Sequence, residues 1–339
     1  DVLDTKRNPF YRNASRALFI ARRDGRVVGR VAAIENRAHN QTHQDRVGFF
    51  GFFECVDDQQ AADALLRAAE EWLRARGLTT MRGPMNPSTN QECGLLVEGF
   101  DEHPVFLTPW NPAYYERLLC DAGLAPARDL LGYWLPYGEP GYAIPPRLGA
   151  LAERAAAKAN LRFRDLVPAR FWTEVELCWE IYNSAWERNW GFVPMTRDEF
   201  LHMAASLKPL LIPQFAFLAE VNGVPAGFML CVPDYNLVLR ANRGGRLLPF
   251  GLARILLGKR RLRTGRIIAL GIREDYRSGS VLPLFMHEAA RRALAYGSTG
   301  AEASWVLEDN QAMRQPIESF GGRVYRRWRI FERAIPAHG

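Results

Sequence analysis

The residues best suited to chemistry fall in one stretch, Ile267 to Asn310. Two acids and an amide, Glu308, Asp309 and Asn310, close a strand-like run, AEASWVLEDN. Upstream, Arg277, Ser278, Gly279 and Ser280 form a turn feeding a helix-like run from about Leu282 to Tyr296. Such a turn leaves unpaired N–H groups at a helix N-terminus, where they and the helix dipole attract an anion such as a phosphate. Carboxylates at a strand end suit proton transfer. Glu308 is the first candidate base, and Tyr276, just before the turn, a candidate acid. Asp309 equally suits capping the following helix. Glu302, inside the strand, needs a cationic partner if buried, with Arg273 and Arg329 the candidates.

A second polar run, Asn86, Ser88, Asn90 and Glu92, lies in the irregular segment from Gly83 to Pro112, which holds five prolines. It reads as a substrate-binding loop reaching a cleft; self-capping by Asx and Ser turns competes with that reading. His39 and His43 have the i, i+4 spacing of zinc ligands on a helix, but no third ligand is evident. They are expected on a solvated turn, and no metal is expected.

The elements that must position these residues repeat. FIARRDGRVVGRVAAI and FLAEVNGVPAGFMLCV each form a hairpin around an Asx-Gly pair, Asp24-Gly25 and Asn222-Gly223, at an offset of 198 residues. Gly77 and Gly297 each end a long helix, and Asn111–Gly123 and Asn310–Gly321 each bracket a shorter one. Both halves therefore predict hairpin, strand, helix, strand, helix, strand. Residues 136–146, with four prolines and two glycines, read as the linker between segments 1–140 and 141–339. Two segments have no counterpart in the other half: about 84–110 in the first and 235–265 in the second. Additions to matched cores are where function tends to sit.

Composition sets the limits. The 339 residues are 48% hydrophobic and 24% charged, as in a globular chain long enough for two domains. No run reaches the ~18 apolar residues of a membrane span, and no secretory signal is visible. Five widely spaced cysteines without a C-x-x-C pair point to a reducing, cytoplasmic setting. The net charge of +7 is local: ten Lys or Arg and no acid lie between Asp234 and Glu274. Mixed with Leu, Ile and Phe, this segment suits an anionic membrane surface, against the alternative of an amphipathic helical pair with a solvated basic face. Nucleic acid is the weaker partner, because no aromatic residues interleave to stack bases.

A hairpin, strand, Arg- and Gly-containing turn, helix, strand and Asn-led helix resembles the GNAT superfamily of acyl-CoA-dependent N-acyltransferases. Present in both halves, it implies an α/β fold of two tandem GNAT-like domains, each a mixed sheet flanked by helices. RGPMNPSTNQECGLLVEGFD (Arg82 to Asp101), the later PW and NPAYY, and SWVLEDN with its downstream GG (Ser304 to Gly322) resemble a bacterial tandem-GNAT family that includes ceramide synthases. The resemblance implies an acyl-CoA or acetyl-CoA donor. Leu270, Gly271, Ile272 and Arg273 would pair with the pantetheine arm, Arg277, Ser278, Gly279, Ser280 and Val281 would cradle the pyrophosphate, and Asn310 would lie near the thiol. The strand and two helices expected before the first hairpin are missing, which implies a trimmed N-terminus.

Ser280 and Leu282 stand where the family's turn has small residues, and Ile317 where its last helix often carries a tyrosine. The matching turn of the first half, Glu54 to Asp58, is acidic, so cofactor is expected in the second half only. The expected activity is N-acylation of a small-molecule or lipid amine, by direct attack on the thioester. An aminoacyl-tRNA-dependent transferase and a non-catalytic CoA- or lipid-binding module are the alternatives.

Overall fold

Two turns of like geometry mark the two halves. In a computed structural model describing residues 2–187, 189–240, 258, 261–277 and 281–336, Asp24 and Asn222 have φ of 49° and 51°, and the glycines after them 76° and 80°. Consecutive left-handed residues let a two-residue loop follow the twist of its strands. The hairpins they close are β1 (Ala14–Arg23) with β2 (Arg26–Asn36), and β10 (Ala216–Val221) with β11 (Val224–Pro233). Each carries a register shift at the same place, Ala21/Arg22 and Ala219/Glu220.

The first half continues with α1 (Arg37–His43), β3 (Val47–Cys55), α2 (Gln59–Arg74) and β4 (Thr80–Gly83). The stretch expected to be irregular holds three short strands, β5 (Met85–Asn86), β6 (Glu92–Cys93) and β7 (Leu95–Glu98). Then come α3 (Tyr114–Asp121) and β8 (Ala125–Leu135). The second half begins with α4 (Pro146–Lys158), whose first residue is the last proline of the expected linker, a position where a missing N–H costs nothing. It continues with β9 (Leu161–Asp165), α5 (Phe171–Trp186) and α6 (Arg197–Leu207), which opens on a Thr196–Glu199 capping box. After its hairpin come α7 (Asn236–Leu239), β12 (Thr264–Ile272), α8 (Val281–Tyr296), β13 (Gly300–Leu307), α9 (Gln311–Ser319) and β14 (Arg323–Ala334).

Twelve of the described strands form one sheet in the order β1-β2-β3-β4-β14-β8-β13-β12-β11-β10-β9, with β7 also on β14, and β5 and β6 pair apart from it. The halves thus exchange their last strands. β14, from the end of the chain, pairs with β4 (Phe331↔Gly83, Ala334↔Thr80), while β8 pairs with β13 (Ala301↔Leu135, Leu307↔Leu130). The exchanged strands also pair with each other, from Arg323↔Trp134 to Glu332↔Ala125. Trp328, Ile330 and Phe331 on β14 are fully buried. Truncating one such aromatic to alanine costs about 3–5 kcal/mol. Across the same junction Asp129 accepts from Arg329 Nε (2.7 Å) and Nη2 (2.9 Å) and from Arg327 Nη1 (3.0 Å). Burial works to raise the Asp129 pKa, but these charged donors outweigh it and hold the carboxyl below its usual range.

His39 and His43 sit on α1, not on a solvated turn. His39 is buried against Phe49, and its Nε2 lies 3.4 Å from an Asp45 oxygen. Burial lowers its pKa to about 4. Asn36 caps the helix by accepting from His39 N, so the run after β2 coils instead of looping outward.

Candidate functional site

In each half the two central strands run parallel for a few residues and then part. β12 pairs with β13 from Thr264↔Gly300 to Ile267↔Ala303. β13 meanwhile stays paired with β8 on its other side, from Ala301↔Leu135 to Leu307↔Leu130. Among the described residues, Ala269 to Ile272 keep β11 on one side and pair with no strand on the other, and Ile268 sits at a register shift. The face of the strand there is covered by α5: Trp186 packs on Tyr182 (centroids 4.4 Å apart) and lies so close to Gly271 that a Cβ there would meet Trp186 Cζ3 at 2.6 Å. Glycine at 271 is what lets that indole lie against the strand.

In the first half β3 and β4 part after Phe49↔Arg82, and the chain fills the gap itself. The carbonyl of Met85 sits so near Gly51 that a Cβ there would lie 1.7 Å away. The side-chain oxygen of Asn86 accepts from Phe52 N at 2.7 Å, so that N–H is already paired within the chain.

The remainder of that loop crosses to the second half. Tyr182 OH donates to Asn90 Oδ1 (2.9 Å), Asn90 Nδ2 to Val193 O (2.9 Å) and Thr89 Oγ1 to Gly191 O (2.9 Å). Ser88 is buried; its hydroxyl accepts from Asn90 N at 3.2 Å and pairs with Gln91 Oε1 at 2.5 Å. Farther on, the two unmatched segments touch. Phe106 N donates to Asp234 Oδ1 (3.0 Å), Asn236 Nδ2 to Pro104 O (2.8 Å), and Arg240 Nη1 meets His103 Nε2 at 2.9 Å.

Beneath this lid lies a buried polar network that sequence reasoning did not assemble. Glu302 has no exposed surface, and Arg266 and Arg326 are nearly as buried. Ser304 Oγ donates to Glu302 Oε1 (2.6 Å) and accepts from Arg266 Nε (2.9 Å). Tyr325 OH also donates to Glu302, and Arg326 Nη1 lies 3.7 Å from it. Arg266 further donates to Leu107 O and stacks over Trp305 at 4.5 Å. The partners of Glu302 are therefore Arg266 and Arg326, not the expected Arg273 or Arg329. Register decides it: Arg266 is the direct parallel partner of Glu302, whereas Arg329 is paired to Asp129 and Glu116. The signal available was the strand alternation that places Arg266, Glu302 and Ser304 on one face.

The other expected residues fall as follows. Glu308 Oε1 accepts from Asp129 N at 3.2 Å, and Asp309 from Arg128 Nη1 at 2.6 Å. Asn310 caps α9, accepting from Met313 N at 3.1 Å. Tyr276 packs against the core in a short 3-10 turn. Arg277 donates to Ile272 O (3.2 Å), Ser184 O (2.6 Å) and Ala185 O (3.0 Å), tying the turn to the end of α5. Val281 begins α8. Leu270 to Arg273 form the end of the open edge. Ser278, Gly279, Ser280 and most of the basic segment 235–265 lie outside the described residues. Ile317 is core. Glu92 is half-buried, and burial raises its pKa against the opposing charge of Arg266.

Two apolar cavities flank the strands beside the opening. One lies between α5, α6 and β10–β11, lined by Phe171, Val175, Phe200, Leu207, Leu218 and Phe228. The other lies under the end of α8 at the start of β12, lined by Phe217, Met229, Ile267, Ala293, Tyr296 and Ala301. Among the described residues no helix is long and apolar enough to cross a membrane.

No family model matches the sequence. The chain is 37% identical over 342 residues to the bacterial ceramide synthase of Caulobacter vibrioides (strain NA1000 / CB15N), covering 99% of this chain and 88% of that protein. It is 34% identical over 323 residues to protein YghO of Escherichia coli (strain K12), covering 94% and 82%. Two solved structures share the fold. One is a tandem GNAT protein from the clavulanic acid biosynthesis pathway (TM-score 0.54, 12% identity, 98% of this chain and 86% of that one). The other is a GCN5-related N-acetyltransferase from Sphaerobacter thermophilus (TM-score 0.52, 16% identity, 93% and 79%). The chain belongs to the tandem GNAT-fold acyltransferase family that includes bacterial ceramide synthase and YghO.

Proposed function

We propose that the protein moves an acyl group from acyl-CoA to the amino group of a lipid-like acceptor, with the donor held in the second half. The observation that carries this reading is the contrast between the two partings of the sheet: that of the first half is filled by Met85 and Asn86, whereas Ala269 to Ile272 keep an edge that pairs with no strand among the described residues. An open edge fits a pantetheine arm, whose amides pair as a strand would. Leu270, Gly271, Ile272 and Arg273 supply that backbone. The segment from Arg277 to Val281 leads into the N-terminus of α8, which suits the pyrophosphate. Arg277 acts through the turn, since its guanidinium holds the carbonyls that end α5. Asn310 lies near the leaving sulfur. Bound there, the donor supplies an activated thioester carbonyl.

The apolar cavities and the name of the Caulobacter relative support long-chain partners. The basic segment 235–265 is placed on an anionic membrane surface, where such an acceptor would reside. The test is palmitoyl-CoA binding by quenching of tryptophan fluorescence, since Trp186 lies on Gly271. One equivalent per chain is expected, weakened at least tenfold in Arg277→Glu. No binding by the wild type overturns the reading. Sedimentation with anionic, but not neutral, vesicles tests the membrane contact.

A further inference from the structure

The amine of an acceptor is protonated at neutral pH and must lose a proton before it can attack, so an acyl transfer site needs a base. The carboxylates around the opening are mostly committed. Glu308 accepts from the backbone of Asp129, Asp309 from Arg128, and Glu302 is fully buried among Arg266, Arg326, Ser304 and Tyr325. Glu92 differs: among the described residues its carboxylate takes part in no hydrogen bond and no ion pair.

Its place is fixed by neighbours on both sides. Through the short β5–β6 pair, Asn86↔Glu92, it is anchored to the plug of the first half. The next residue, Cys93, is buried in one apolar cluster with Trp328, against which Trp305 and Trp190 also pack. Two residues before it, Asn90 is bonded to Tyr182 of α5. The opposing charge that acts on it is that of Arg266, which stacks on Trp305 and bonds Ser304. Ser304 and Trp305 are the first residues of β13 past its last pair with β12. Glu92 therefore stands where the two strands part, and the Trp305 indole N–H at the same point is buried without a partner.

From this placement, which rests on the acyl-transfer reading above, we propose that Glu92, supplied by the first half, is the base of the site in the second. The acceptor ammonium gives one proton to the Glu92 carboxylate. Its lone pair forms the C–N bond at the thioester carbonyl carbon, and the C–S bond breaks. The second proton leaves nitrogen for the departing thiolate, giving amide and CoA thiol, and Glu92 returns its proton to water. Partial burial suits the task, because a carboxylate whose pKa is raised is a stronger base.

The test compares wild type, Glu92→Gln and Glu92→Asp on palmitoyl-CoA with amines of graded basicity, from octadecylamine to an alkyl hydrazide that is already neutral at the assay pH. Glu92→Gln is expected to lose about 10²–10⁴-fold in kcat/KM on the alkylamine. The loss should be only a few-fold on the hydrazide, with palmitoyl-CoA binding unchanged and partial recovery in Glu92→Asp. A loss below threefold, or an equal loss on all amines, overturns the role of Glu92 and leaves acyl transfer standing. Failure of the wild type on every amine overturns both. A readout without substrate comes from unfolding. A carboxyl whose pKa is raised on folding adds stability only while protonated and loses it as pH rises through that pKa. Glu92→Gln should therefore raise Tm at neutral pH and leave it unchanged in acid; a lower Tm at neutral pH places Glu92 in a structural ion pair and overturns the proposal.

Discussion

The two halves are built on one plan and differ where it matters. At the third pair of the parallel strands the first half has Phe49↔Arg82, and the second has Arg266↔Glu302. Beyond that point the first half folds Met85 and Asn86 into the gap, and in the second no strand among the described residues pairs with that edge of β12. One copy has become a scaffold that closes its own opening and lends its loop to the other. The loop that follows the filled gap is hydrogen-bonded to Tyr182, Gly191 and Val193 of the second half.

The largest effect that would sharpen this comparison is at the third pair. Glu302→Ala leaves two buried arginines facing each other and is expected to destabilise the protein by about 3–5 kcal/mol, read from urea unfolding. The counterpart change, Arg82→Met, breaks a pair with the more exposed Glu332 and should cost below about 1 kcal/mol. Equal costs would show that the third pair carries no more of the stability in the second half than in the first. A second contrast lies at the asparagines before the last helices. Asn111 is buried, accepting from Leu96 N (2.7 Å) and donating to Leu96 O (3.1 Å). Asn111→Ala should cost about 2–3 kcal/mol, because Leu96 keeps buried groups without partners. Asn310→Ala removes one cap and should cost about 1 kcal/mol. If instead Asn310→Ala mainly impairs turnover, its place is beside the donor and not only at the helix.

The smallest effect is a pH dependence of the strand exchange. The Asp129 pKa is lowered on folding, so its stabilisation is present above the unfolded value and is lost as pH falls through the folded one. Asp129→Asn should flatten the acid limb of the stability curve, seen by following unfolding midpoints from neutral pH into acid. An unchanged limb would show that the junction is held by packing alone.

Local chemistry made the repeat legible. Asx-Gly turns and helix-ending glycines need left-handed backbone, so Asp24, Asn222, Gly77 and Gly297 mark the same elements in both halves from sequence alone. The exchange of β8 and β14 was not legible, because their apolar faces would be satisfied beside either central strand. Nor was the plug: Asn86 reads as a polar loop residue until Phe52 N is seen beside it. Partners of buried charges depend on register, which is why Glu302 is expected beside Arg273 or Arg329 and is found with Arg266 and Arg326. The two unmatched segments stand out in the sequence as additions, but their meeting at Asp234 and Phe106 is a contact between distant parts of the chain.

The exchange of strands also bears on how the chain is made. β4 receives β14 from 250 residues downstream, as the Arg82–Glu332 pair measures. During synthesis the first half must therefore wait, with one edge of β4 uncovered, until the last strand leaves the ribosome. An uncovered edge is a template for unwanted pairing. The loop that follows β4 folds back on β3, across the neighbouring gap. It fills that gap but leaves the far edge of β4 to β14 alone, so this edge depends on a strand made much later.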